Sequence, residues 1–241
     1  MTDPSSVQDI SHFISTYEQR FFVNKTVKVQ EFKDSFSRLK TEFAHIKKEA
    51  GIRAVTEAPD FNIFYLMGMT RDEVRTHSAV LANLLNPNGS HGQGVLFLRT
   101  YIDYCKDKYL NFPLNTEELD TGRWSAHAEM TTQHGRLDVV VMNPTLGYLC
   151  LIENKVDAYE QPKQLQRYWQ WMESRFREFP FQALIFLTIK GYDATTAWDF
   201  PYYRLSYNQD IPNWLESAVP EIQAPVVKTI VEQYIDVVIR L

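Results

Sequence analysis

Two apolar segments of strand length, joined by a short turn, constrain the fold of this chain more than any other feature of its sequence. Residues 136–142 (RLDVVVM) are rich in β-branched side chains, and residues 148–153 (YLCLIE) are almost continuously apolar. The segment between them, NPTLG, contains a proline and a glycine, which are typical of turns. Because β-branched residues favour extended structure, the pattern predicts an antiparallel hairpin over residues 136–153.

The elements predicted on either side of the hairpin indicate an α/β fold. A helix is expected over about residues 71–85, with Thr70 as its N-cap and Glu73 closing a capping box. A second helix is expected between Pro162 and Pro180. Its expected buried stripe consists of Leu165, Trp169, Met172 and Phe176. The other expected elements are strands over about 124–130, 181–189 and 202–207 and helices over about 93–108, 210–218 and 224–240. This order predicts an αβββαβ core, a mixed sheet flanked by helices.

Residues 1–56 are predicted to form an N-terminal helical extension, and residues 57–241 a separate domain. Five apolar residues of the extension recur at spacings of 4, 3, 4 and 3, which places them on one narrow helix face. These residues, the 32–46 seam, are Phe32, Phe36, Leu39, Phe43 and Ile46. Two interpretations are open: the seam packs on the chain's own domain, or it binds a protein partner or a second copy of the chain.

Composition excludes several classes of protein. Lys and Arg number 25 against 30 Asp and Glu, and a formal net charge of −5 means that nucleic-acid binding would need local basic patches. No stretch approaches the roughly 20 apolar residues of a membrane span. Two cysteines favour a reduced, cytoplasmic setting. The sequence contains no CxxC, HExxH or GxxxxGK[ST] pattern, which argues against a zinc site and an ATP-driven motor.

Three charged residues lie in or directly after the two strands of the hairpin, where a sheet is expected to be apolar. They are Asp138, Glu153 and Lys155. Charged groups in such strands are costly unless they are paired or bind a metal. A four-residue loop pairs Asn143 with Tyr148 and places Asp138 opposite Glu153, with Cβ atoms roughly 5 Å apart. A five-residue loop would put the two acids on opposite faces of the sheet.

Two carboxylates held this close suit a hard divalent cation such as Mg²⁺ or Mn²⁺. Lys155 lies two residues after Glu153, so both side chains project from the same face of the strand. Its ammonium group could orient a metal-bound water and offset charge on a transition state at phosphorus. The set therefore suits metal-assisted hydrolysis of a phosphodiester. The structural alternative is a ladder of surface ion pairs on a half-exposed sheet.

Asp138, a gap of 14 residues and then Glu153-Asn154-Lys155 resemble the motif of the PD-(D/E)XK nuclease superfamily. The following helix carries QLQRY, from Gln164 to Tyr168, which is similar to the QxxxY signature of the RecB-like branch. The segments RTHSAVLANLLNPNGSHGQGVLFL and LSYNQDIPNWLE resemble a bacterial and phage subfamily of uncertain biology, and the resemblance covers about residues 70–240. Arg136-Leu137, rather than a proline, precedes the first acid.

The resemblance implies a restriction-endonuclease-like fold and a Mg²⁺-dependent nuclease that acts on DNA. It implies that Asp138 and Glu153 hold the metal, helped by the Asn154 carbonyl, and that Lys155 positions water. Gln164, with Tyr168, would orient Lys155 or a backbone phosphate.

Further residues have a functional and a structural interpretation. Glu73 or His77 could lie near the metal or act only as cap and surface groups. Glu129 could join the acidic pair or occupy a solvated edge. Arg136 and Arg167 could contact phosphate, and His91 could bind phosphate or hold its loop.

The sequence leaves two other functions open. The fold could serve as a non-catalytic interaction or regulatory module with the 32–46 seam as its docking face, or as a nucleic-acid binder that cuts poorly. The response to a divalent metal, compared between the wild type and Asp138→Asn, discriminates between these functions and a nuclease.

Overall fold

The computed structural model describes residues 4–113, 119, 123–133, 135–195 and 200–241, with side chains from residue 11 onward. The chain divides into two compact units, Met1–Phe61 and Asn62–Leu241.

The first unit contains a single 53-residue helix, α1, over Pro4–Thr56. The helical character predicted for this region is therefore confirmed over the described residues. The side chains of the 32–46 seam are between 58% and 70% exposed. Pairs of charged or polar side chains four residues apart occur elsewhere, as between Gln30 and Asp34 within the helix and between Arg53 and Glu57 at its C-terminal end.

The second unit is built on a five-stranded mixed sheet, as far as the described residues show. Its strands are β1 (Ser125–Thr132), β2 (Gly135–Asn143), β3 (Tyr148–Lys155), β4 (Phe181–Thr188) and β5 (Tyr203–Ser206). They lie in the order β1-β2-β3-β4-β5. The first three strands pair antiparallel, whereas β3, β4 and β5 pair parallel, so the last three end at the same edge of the sheet.

Helices cover both faces of this sheet. They are α2 (Ile63–Leu66), α3 (Ala79–Leu84), α4 (Leu96–Lys108), α5 (Gln164–Phe176), α6 (Asp210–Ala218) and α7 (Pro225–Ile239), with a π-helical turn over Glu73–Ser78 and a 3₁₀ turn over Val219–Glu221. The larger core packs α3, α4, α6 and α7 against one face, and the smaller core packs α5 against the other. No described helix is both long enough and apolar enough to cross a membrane.

The hairpin has the predicted four-residue loop and register. Asn143 pairs with Tyr148, and this register brings Asp138 opposite Glu153. The Asn143 side chain accepts hydrogen bonds from two backbone N–H groups of the loop, at 3.0 and 3.2 Å, which stabilises the turn.

The last residue of the hairpin loop must be a glycine. Gly147 has a φ of 66°, and a Cβ at this position would lie 2.6 Å from Cδ of Pro180. Both the backbone conformation and the close approach therefore exclude a larger residue.

The helix predicted over residues 71–85 begins differently from the prediction. The proposed Thr70 cap and capping box are wrong: Asp72 is the N-cap, and its Oδ1 accepts the Arg75 N–H at 2.7 Å. The first turn is π-helical, over Glu73–Ser78. Glu73 does not reach back to the cap, because its carboxylate accepts hydrogen bonds from the loop after β3.

The buried face of α5 also departs from the prediction. Leu165 and Met172 are buried as expected, but Trp169 and Phe176 are only partly buried. Tyr168 is 2% exposed and lies on the buried face in their place. The reason is polar: Tyr168 and its neighbour one turn earlier, Gln164, satisfy hydrogen-bonding groups of the sheet.

Candidate active site

An acidic pair forms where β2 and β3 lie side by side. The side chains of Asp138 and Glu153 face each other across the two strands, close enough for the charge of Asp138 to act on Glu153. Glu153 is 1% exposed and Asp138 is half-buried. The backbone N–H of Asn154 donates to Oδ2 of Asp138 at 2.8 Å, which fixes the carboxyl group of Asp138 against β3. The acids that the sequence predicted to converge therefore do so.

Burial raises the pKa of both acids above their ordinary values. For Asp138 the loss of hydration is the main cause, and the hydrogen bond from Asn154 partly opposes it. For Glu153 burial is again the main cause, and the nearby charge of Asp138 adds to it. The pair is thus a place where negative charge is costly and a cation is favoured.

Lys155 contacts the acidic pair directly. Its Nζ lies 2.5 Å from Oε1 of Glu153, and its side chain is 13% exposed. Burial alone would lower the pKa of Lys155, but the charge of Glu153 and the hydrogen bond to it outweigh burial and raise the pKa. Lys155 is therefore an ammonium ion at neutral pH.

Gln164 and Tyr168 support the same acid from α5. Nε2 of Gln164 donates to Oε1 of Glu153 at 2.6 Å and also lies 3.1 Å from the Tyr168 hydroxyl oxygen. The Tyr168 hydroxyl donates to the carbonyl oxygen of Arg136 at 2.7 Å. Gln164 was expected to orient Lys155 or a phosphate, but its direct partner is Glu153, so it positions the acid.

Glu73 reaches the site from the π-helical turn. Its Oε1 accepts hydrogen bonds from three consecutive backbone N–H groups, those of Val156, Asp157 and Ala158, at 2.6 to 3.0 Å. Its charge contributes to the raised pKa of Lys155. Glu73 therefore fixes the chain directly after Lys155.

Asn154 is a site residue whose side chain the sequence reasoning missed. Its Nδ2 donates to Oγ of Ser78 at 2.7 Å on the face of the sheet opposite Glu153. A signal was present: Asn154 is a polar residue on the strand face that otherwise carries Cys150 and Ile152, both buried. A buried amide on such a face needs a partner, although the sequence could not show that Ser78 supplies it.

Glu129 lies across from Asp138 in the register of β1 and β2, between the pairs Ala128–Val139 and Met130–Leu137. Its backbone has a φ of 57°, unusual for a strand residue. Its Oε2 lies 2.5 Å from Nε of Arg136, and its charge adds to the raised pKa of Asp138. Glu129 is thus a neighbour of the acidic pair, and Arg136 compensates its charge.

The two predicted histidines have local partners. Both ring nitrogens of buried His77 are engaged, with the Tyr234 hydroxyl and the Thr70 carbonyl, and burial lowers its pKa. His91 donates to the Asn86 carbonyl and accepts the N–H of Gln93, so it holds its loop. Neither histidine has a ring nitrogen left for a metal or a phosphate.

Arg167 lies at the start of α5, close to the acidic pair in the chain. Its guanidinium donates to the Pro162 carbonyl at 2.5 Å and to the side chain of Gln161. It is half-buried.

The donor set fits a hard divalent cation. Oε2 of Glu153 is buried and has no hydrogen-bond partner among the described residues, whereas Oε1 has two. Together with the carboxylate of Asp138 it offers the kind of oxygen ligands that Mg²⁺ or Mn²⁺ prefers. Within the described residues no group of three His, Cys, Asp or Glu side chains could hold a metal. Water and a substrate phosphate would therefore have to complete the coordination, as is common for Mg²⁺.

A comparison with known protein families identifies one match. The model of the PD-(D/E)XK nuclease superfamily matches residues 61–235. The match includes all the residues of the site and the whole sheet. Neither a curated protein nor a solved structure matches the chain significantly.

Proposed function

Because this chain belongs to the PD-(D/E)XK nuclease superfamily, we propose that it hydrolyses phosphodiester bonds in DNA with the help of Mg²⁺ or Mn²⁺. One observation carries the proposal: Lys155 and Gln164 hold Glu153 through one oxygen, while its other oxygen, on the side of Asp138, has no partner within the part of the chain that the structure describes. A bound cation would satisfy this buried oxygen.

Asp138, Glu153 and the Asn154 carbonyl would hold the metal ion. When bound, such an ion lowers the pKa of its water and withdraws charge from a phosphate oxygen. The ammonium group of Lys155 orients the attacking water and stabilises the negative charge that develops on the phosphoryl oxygens. Gln164 keeps Glu153 in position, and the Asn154 N–H keeps Asp138 against it.

The test is cleavage of labelled duplex DNA with Mn²⁺, Mg²⁺ or EDTA, with an RNA duplex of the same sequence as a second substrate. We expect metal-dependent cleavage of DNA that Lys155→Ala lowers by about 100-fold or more. Metal-independent cleavage, or equal cleavage by the purified, folded variant, would refute the assignment.

A second proposal concerns a protein partner, and the exposed face of α1 favours it. The 32–46 seam, extended by Val29, forms two interleaved series with a period of seven, as in a coiled coil. The series are Val29, Phe36 and Phe43, and Phe32, Leu39 and Ile46. These side chains are 46–70% exposed. Since a buried aromatic ring covers about 150–250 Å², pairing two such faces would bury about 1,200 Å², which is enough for a specific interface.

We propose that the partner is a second copy of this chain, in parallel orientation. In a parallel coiled coil, the residue directly before a member of the Val29 series faces a residue of the other helix whose number is higher by five. Glu42 then faces Lys47 of the partner copy at both sides of the pair. By the same rule Lys28 faces Lys33 of the partner copy, so one attractive and one repulsive pair flank the seam, and the exposed apolar area carries the proposal.

A further inference from the structure

A small polar pocket lies at the edge of the sheet where the parallel strands end. It encloses about 120 Å³ and is lined by the end of α4, the turn after β4, strand β5 and the start of α6. Three of its residues are cationic: Lys108, Lys190 and Arg204. One is acidic, Asp210. The pocket is therefore positive in a chain whose net charge is −5.

The one carboxylate of the pocket is saturated. Oδ2 of Asp210 accepts from the backbone N–H and the hydroxyl of Ser206, and Oδ1 accepts from the Tyr104 hydroxyl and from Lys108. Burial alone would raise the pKa of Asp210, but hydrogen bonds from Lys108, Tyr104 and Ser206 outweigh burial and lower it. Asp210 thus anchors Lys108 in the wall of the pocket.

The other two cations are available to a ligand. Arg204 pairs with Asp193 at 2.8 Å, but the two side chains are 47% and 74% exposed, and such pairs exchange readily because they contribute little energy. Lys190 is exposed and has no ion-pair partner among the described residues. An anion that entered the pocket could therefore contact both cations without breaking a buried pair.

The sheet register relates this pocket to the acidic pair. Lys155 pairs with Thr188, and Thr188 pairs with Ser206, so the three side chains share one face of neighbouring strands. Strands lie about 4.8 Å apart, which puts Ser206 roughly 10 Å from Lys155. A phosphate bound in the pocket would therefore lie close to the phosphate held at the acidic pair.

We propose that the pocket binds a backbone phosphate of the nucleic acid whose cleavage is proposed above, near the bond that is cut. This proposal rests on the proposed nuclease function. Lys190 and Arg204 supply the charge, and Lys108, fixed by Asp210, supplies a further N–H donor. Such a contact does not discriminate between base sequences. It positions the nucleic-acid strand across the end of the sheet.

The test measures binding of a labelled DNA duplex to the full chain in EDTA, where no cleavage interferes, over a series of salt concentrations. A variant that no longer neutralises one phosphate should show a slope of log K against log salt that is smaller by about 1. We expect this reduction, with weaker binding, for Lys190→Ala and for Arg204→Ala, and we expect Lys190→Arg to keep the wild-type slope. Arg177→Ala is the matched control, because Arg177 is an exposed cation directly after the C-terminal end of α5, toward the opposite edge of the sheet.

Unchanged slopes for both alanine variants would overturn the pocket proposal, as would a wild type that binds no DNA. These outcomes can be distinguished from a failure of the proposed nuclease function. If the wild type cleaves DNA with Mn²⁺ and Lys155→Ala does not, the function stands even when Lys190→Ala binds like the wild type. If the slopes fall but no variant or condition gives cleavage, the pocket stands and the catalytic proposal fails.

Discussion

Gln164 and Glu153 are joined by a hydrogen bond of 2.6 Å that ends on the same carboxylate oxygen as the Lys155 contact. The other oxygen is buried and has no hydrogen-bond partner in the described ranges of the chain. Glu153 is thus preorganised as a metal ligand, because hydrogen bonds orient its carboxylate before a cation binds.

Lys155→Ala should lower the rate of DNA cleavage by about 100-fold or more, since removal of one charge-stabilising donor in an active site has an effect of that order. The fold should persist, because Lys155 lies at the end of β3. Rates and circular dichroism spectra check both expectations. Lys228→Ala on α7 is the control, and a rate for Lys155→Ala near that of this control would contradict the assigned role.

Mn²⁺ should raise the melting temperature of the wild type by relieving the repulsion between Asp138 and Glu153. At 100 times the dissociation constant, binding to the folded state alone adds about 2.7 kcal/mol. Asp138→Asn should lose most of this response, whereas Asp107→Asn, at an exposed position on α4, should keep it. Equal responses of the wild type and Asp138→Asn in thermal-shift measurements would count against a metal at this pair.

Gln164→Ala should raise the Mn²⁺ concentration needed for half-maximal cleavage, because Glu153 would lose the donor that orients it. A hydrogen bond to a charged group contributes about 1.5–3 kcal/mol, so the shift should be roughly 10-fold or more, and excess Mn²⁺ should restore part of the rate. Gln170→Ala, at an exposed position of the same helix, is the control. A lower rate with an unchanged metal requirement would show that Gln164 acts in another way.

The metal-free protein should lose stability as the pH rises. The folded-state pKa values of Asp138 and Glu153 lie above their ordinary values. At a pH between the unfolded-state and the folded-state pKa of each acid, the folded state therefore binds more protons than the unfolded state. Their contribution to the free energy of unfolding is present at a pH below the unfolded-state pKa values and is lost as the pH rises through the folded-state pKa values. His77 has a lowered pKa and acts in the opposite direction at acid pH, which makes a comparison of variants necessary.

Urea unfolding in EDTA between roughly pH 5 and pH 9 checks this dependence, as the difference between the wild type and Asp138→Asn. The variant should be the more stable protein at high pH and should lose less stability across the range. Parallel curves for the two proteins would show that the acidic pair does not govern the dependence.

Phe36→Glu should disrupt the proposed association of α1, since it places a charge at the centre of the seam. Sedimentation equilibrium should give the wild type twice the chain mass of 28.2 kDa and the variant the chain mass itself. Ser37→Glu, on another face of the helix, should leave the dimer intact. A monomeric wild type would overturn self-association and leave an unlike partner as the occupant of the seam.

Local patterns in the sequence were enough to predict the hairpin, its register and the convergence of Asp138 and Glu153, because the loop length alone sets which residues face each other. The π-helical turn was not predictable in this way. It depends on Glu73 bonding to the chain after β3, a contact between residues 83 positions apart in sequence. The burial of Tyr168 was missed for a related reason. An apolar stripe predicts which apolar side chains are buried, but it does not predict which polar side chains are buried because they hydrogen-bond to the sheet.

The contact of Glu73 with the end of β3 also bears on how the protein is made. The site draws its parts from the π-helical turn, from two strands and from α5, so a chain still emerging from the ribosome holds the acids before it holds Gln164. Under the proposed chemistry, an incompletely synthesised chain would not cleave the nucleic acids around it. Nuclease activity would begin only after α5 has been synthesised and the segments that are distant in sequence have packed together.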